Sequence, residues 1–133
     1  MMQLKRAYDP PARGDGRRIL VERLWPRGVK KEEYARRNFF DVWLPEVSPS
    51  RALVSYAQAK PWTDKRWATF TRRYFGEMRR TEAQRVIALL AALSKGSNFS
   101  IGCYCENPQR CHRSLLGTLL RSQGGTLLKG PMR

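Results

Sequence analysis

The chain has 133 residues, 26 Lys and Arg against 11 Asp and Glu, and a formal net charge of +15. With 41% hydrophobic residues it can bury a core as one domain. No apolar run approaches bilayer length, and the charged start from Met1 to Asp9 lacks the apolar segment of a signal peptide. A membrane anchor is not expected, nor, since no Lys/Arg block reaches five, a disordered basic tail, and the +15 charge favours contact with polyanions or phosphorylated substrates. The basic set is 19 Arg and 7 Lys, and arginine's planar fork grips phosphate with two parallel bonds. Three cysteines cannot all pair, so a cytoplasmic protein with reduced thiols is expected.

Gln3 to Ala7 reads as a first strand, ended by Asp9-Pro10-Pro11 and a Pro/Gly/Asp-rich loop. Arg18 to Leu24 suits a buried strand, which Trp25-Pro26-Arg27-Gly28 breaks. Val29 to Arg37 reads as a short helix. Phe40, Val42 and Leu44 alternate with Asp41 and Trp43, as in a short strand stopped by Pro45. Ser48-Pro49 carries a helix-start signal. Trp67, Phe70, Tyr74 and Met78 share one helix face and form a core stripe. Thr81 with Gln84 reads as a capping box opening a third helix, which Gly96 closes. Asn98 to Tyr104 is a last strand, Arg113 to Arg121 a last helix, and the chain from Ser122 a Gly-rich tail that frays. The expected fold is α/β: a small, partly parallel sheet with helices on its faces. One domain is expected over residues 1–133, its core over about 3–122 and its tail over about 123–133.

All three cysteines and the single histidine fall in the eleven residues Cys103 to Arg113. A strand that feeds a loop opening a helix is where α/β proteins place chemistry. A zinc site is disfavoured, because one residue separates Cys103 from Cys105 and Cys111 adjoins His112. A phosphatase-type loop is rejected, because the position six beyond Cys105 is Cys111 and Arg113 lies eight beyond it. No metal and no cofactor are expected. An anion pocket accounts for the residues best. Cys111, His112 and Arg113 occupy the first turn of the last helix, where unbonded N–H groups and the helix dipole favour negative charge. Arg113 and Arg110 add charged donors, the same field favours the Cys111 thiolate, and His112 or Glu106 supplies acid or base chemistry.

Tyr8-Asp9, Asp15-Gly16, Val21-Glu22-Arg23-Leu24-Trp25-Pro26-Arg27-Gly28, Cys105-Glu106 and Cys111-His112-Arg113 together resemble the YeaO-like domain-of-unknown-function family 488, over roughly Leu4 to Arg121. The resemblance implies a small cytoplasmic α/β domain and brings no reaction with it. It groups distant motifs at strand ends. Arg23, Arg27 and Arg113 are expected to line one basic pocket, with Asp9 or Glu106 as its carboxylate. The expected partner is a phosphorylated small molecule, a nucleotide or a nucleic acid. The alternatives are a non-catalytic nucleic-acid module using Arg72, Arg73, Arg79, Arg80 and Arg85, and a thiol or metal sensor using Cys103, Cys105 and Cys111. No membrane partner is expected, and the sequence is silent on oligomeric state.

Overall fold

The computed structural model describes residues 2–6, 16–23, 40–103 and 110–127. Among them, strands β1 (Met2–Arg6), β2 (Arg17–Leu20), β3 (Val42–Trp43) and β4 (Phe99–Cys103) form one sheet in the order β1-β4-β2-β3. Every pairing is parallel, with Arg6 opposite Cys103, Leu20 opposite Gly102 and Leu20 opposite Trp43. The fold is therefore α/β, and the strands' carboxyl ends lie along one edge. In the chain, Asp9, Arg27 and Glu106 all follow such an end, but they lie outside the described residues.

Parallel strands need crossovers, and the described one, from β3 to β4, is helical. After a short 3-10 turn at Pro45–Val47 come α1 (Arg51–Ala59), α2 (Asp64–Glu77) and α3 (Thr81–Leu93), then β4 and α4 (His112–Ser122). Helix α4 lies against β1 and β4 and is flanked by α2 and α3. Its buried positions Arg113, Leu116, Gly117 and Leu120 follow the helical repeat of an inward face. Gly117 lets α4 press onto the sheet, since a Cβ there would stand 2.9 Å from Leu4 Cδ1. Gly16, at φ +60°, starts β2 where a Cβ would fall 1.9 Å from the Asn98 carbonyl oxygen. Only glycine fits that approach.

Several local expectations change. The cap of α1 is Ser50, whose Oγ accepts from Leu53 N–H. Ser48 instead closes the preceding turn by donating to the Pro45 carbonyl at 2.6 Å. Helix α3 has Arg80 at its cap position without a side-chain cap bond, and Gln84 donates to the Met78 carbonyl. No capping box forms, because Thr81 is already inside the helix. The segment after Ser122 is partly docked: Met2 N–H donates to the Thr126 carbonyl, and Leu127 bridges to Met2. The expected helix over Val29 to Arg37, the residues Trp25 to Gly28 and the chain beyond Leu127 lie outside the described residues.

The aromatic stripe belongs to the core. Phe70 and Tyr74 are buried and stack with centroids 6.3 Å apart, and Trp67 stacks on Phe70. Among the described residues no helix is long and apolar enough to cross a membrane.

Candidate anion site at the start of helix α4

Two contacts fix the amino end of α4 against the sheet edge. Cys111, the N-cap residue, has its Sγ 2.7 Å from Sγ of Cys103, the last residue of β4. His112 Nε2 lies 2.6 Å from the carbonyl oxygen of Val21, the residue after β2. A carbonyl only accepts, so Nε2 carries the proton and donates. The neutral ring then presents the Nδ1 lone pair. That nitrogen is 3.8 Å from Cys111 Sγ. The arrangement is a thiol, an imidazole and a backbone carbonyl that holds the ring in one tautomer, the ordering logic of an activated nucleophile.

Arg113 follows one residue later and has 0% exposure, the bulkiest of the fully buried side chains. Its Nε, Nη1 and Nη2 find no hydrogen-bond acceptor among the described residues. An arginine in the row of Leu116, Gly117 and Leu120 holds a position that packing alone would give to an apolar residue. A buried, unpaired guanidinium costs several kcal/mol, on the order of 3–5, unless an anion meets it.

The other expected members of the site go elsewhere or lie outside the described residues. Arg23 donates through Nε to the Pro49 carbonyl and through Nη2 to the Ser48 carbonyl, both at 3.0 Å. It clamps the chain entering α1. Arg110 donates to Asp64 Oδ1 at 2.6 Å and to the Thr63 carbonyl at 3.2 Å, at the amino end of α2. The structure thus brings Cys111 and His112 together, buries Arg113 in the same first turn of α4, and turns Arg23 and Arg110 toward other partners. Asp9, Arg27 and Glu106 lie outside the described residues.

The sequence reading missed three neighbours. Cys103, named in the sequence only for the thiol or metal sensor, is buried and meets Cys111. The Val21 carbonyl carries no side-chain signature. Tyr74, read as core, has its ring 6.1 Å from the His112 ring and donates to the Val47 carbonyl at 2.8 Å. Burial, reinforced by Cys111, Glu77 and Cys103, holds the Tyr74 phenol well above its ordinary value, so it stays a donor. Among the described residues no three His, Cys, Asp or Glu side chains come together as a metal site.

A parallel sheet backed by helices, with a thiol, an imidazole and a buried guanidinium at the strands' carboxyl edge, defines a small α/β protein of the kind that gathers its chemistry at strand ends. The chain belongs to the DUF488 family: the family model described as the active DUF488-N3 subclade matches residues 2–124. It is 36% identical over 121 residues to the uncharacterized protein YeaO of Escherichia coli, covering 91% of this chain and 97% of that protein. It is 27% identical over 122 residues to uncharacterized proteins of Mycobacterium bovis and Mycobacterium tuberculosis, covering 92% of this chain and 95% of each. No solved structure gives a significant match.

Proposed function

We propose that the start of α4 binds a phosphate group, and that the protein acts on a nucleotide, a nucleic-acid end or another phosphorylated substrate. The observation that carries this is the Arg113 guanidinium, fully buried with all three nitrogens lacking an acceptor among the described residues. A guanidinium has five N–H donors in a fixed fork, and a phosphate monoester offers the several oxygens they require. The first N–H groups of α4 and its dipole act in the same sense. In this reading Arg113 holds the anion, His112 moves a proton through Nδ1, and Cys111 is the candidate nucleophile. Asp9 or Glu106 is the candidate carboxylate, and Arg27 a further candidate cation.

Full burial of Arg113 also bears on ligand size. A terminal phosphate can enter an enclosed site, whereas the continuous backbone of a duplex cannot. The alternative, a non-catalytic nucleic-acid module, rests on Arg72, Arg73, Arg79, Arg80 and Arg85, all exposed on α2, α3 and the turn between them. The two readings part in titrations of inorganic phosphate, a nucleoside monophosphate and duplex DNA against the native chain and Arg113→Met. The proposal expects phosphate and the monophosphate to raise the melting midpoint of the native chain only, by about 2.7 kcal/mol of stability at a hundredfold excess over Kd. Duplex binding that falls steeply with salt, with a slope of about −0.9 per phosphate neutralised, and that is unchanged in Arg113→Met would favour the module instead.

A further inference from the structure

Cys103 ends β4 and Cys111 caps α4, and their sulfurs lie 2.7 Å apart with both side chains at most 1% exposed. That is well inside the contact distance of two unbonded sulfur atoms. A disulfide needs about 2.05 Å, so an approach of roughly 0.7 Å closes the bond. The two residues are eight apart in sequence and anchored on different elements, so the pairing is made by the fold.

We propose that Cys103 and Cys111 are a redox-active dithiol that a hydroperoxide closes into an intramolecular disulfide. The chemistry starts at Cys111. The Nδ1 lone pair of His112, 3.8 Å from Cys111 Sγ, is the base for its proton, because the Val21 carbonyl holds the ring proton on Nε2. The amino end of α4 favours the thiolate. That thiolate attacks one peroxide oxygen, the O–O bond breaks, a water leaves and Cys111 becomes a sulfenic acid. Cys103 sulfur then attacks Cys111 sulfur, the S–O bond breaks, the S–S bond forms and a second water leaves. In total two thiols lose two electrons and two protons, and one hydroperoxide becomes two waters (or water and an alcohol). A dithiol reductant reverses the bond through a mixed disulfide. Burial selects the oxidant class: sulfurs this enclosed exclude a bulky disulfide such as oxidised glutathione and favour a small hydroperoxide.

The test uses the full chain carrying Cys105→Ser, so that only these two thiols remain. Hydrogen peroxide treatment is followed by denaturing alkylation, trypsin and mass spectrometry. Trypsin separates Gly96–Arg110 from Cys111–Arg113, because no Lys or Arg lies between Gly96 and Gln109. The proposal expects an intact mass lower by two hydrogens, these two peptides joined, full reversal by dithiothreitol, and oxidation by glutathione disulfide slower by at least about tenfold. Cys103→Ser should instead gather extra oxygen on Cys111. Peroxide-treated folded protein with no joined peptides, or with glutathione as fast as peroxide, would overturn the proposal. If Cys105→Ser does not fold, fragmentation of the joined peptides from the native chain tells Cys103 from Cys105. Because the readout is a covalent link, failure here leaves the phosphate reading of Arg113 standing, and the reverse holds too.

Discussion

At the amino end of α2, Thr63 Oγ1 accepts from Arg66 N–H, and Arg110 reaches across to donate to the Thr63 carbonyl and to Asp64. The cap oxygen, the Asp64 carboxylate and the arginine there find partners within the protein. At the amino end of α4, Cys111 stands in the cap position without a side-chain cap bond, and the nearby arginine is buried with its nitrogens unmatched among the described residues. Both ends present N–H groups and a cation. Only the second leaves positive charge inside the fold, in the same helix turn as a thiol and an imidazole. Self-satisfied polar groups are what structure requires. The unsatisfied one is the feature on which the phosphate proposal rests.

Substitutions sharpen this contrast. The largest effect short of Arg113 is expected at His112→Leu, which deprives the Val21 carbonyl of its donor and should cost about 2 kcal/mol in denaturant unfolding. A neutral result would mean that the ring does not tie α4 to β2. Tyr74→Phe removes the bond to the Val47 carbonyl and should cost about 1 kcal/mol. Tyr74 also sets an alkaline limit. Its folded value is raised, so the unfolded phenol ionises first. Stability is then full below the ordinary tyrosine value and falls as pH rises above it toward the folded value. Tyr74→Phe should flatten that fall, and an unchanged alkaline profile would remove Tyr74 as its cause. Thr63→Ala should cost the least, about 1 kcal/mol or below, and leave phosphate binding untouched. A loss of phosphate response there would make the two helix ends one site.

Much of the fold was legible because it is written in periodicity. The stripe Trp67, Phe70, Tyr74 and Met78 located α2, and the apolar run from Phe99 to Cys103 located β4. Caps were less legible. Ser48 carried the expected start signal, but it closes the turn at Pro45–Val47 and Ser50 caps α1. The site was half legible. The first-turn positions of His112 and Arg113 follow from local pattern, but the fate of Arg23 depends on Ser48 and Pro49, 25 and 26 residues away. Nor does local spacing tell that Cys103 meets Cys111. One signal was present and unused: Arg113, Leu116, Gly117 and Leu120 share a helix face, which puts the arginine in a core row.

The stability of Arg113→Met against the native chain, measured without and with inorganic phosphate, tests the central claim most directly. If the guanidinium waits for an anion, the substitution relieves a buried unpaired charge. The variant should then equal or exceed the native chain in anion-free buffer, by up to about 4 kcal/mol, and gain nothing from phosphate. A variant that loses several kcal/mol in anion-free buffer, beside a native chain indifferent to phosphate, would mean that the protein supplies its own counter-charge and that no ligand site exists there.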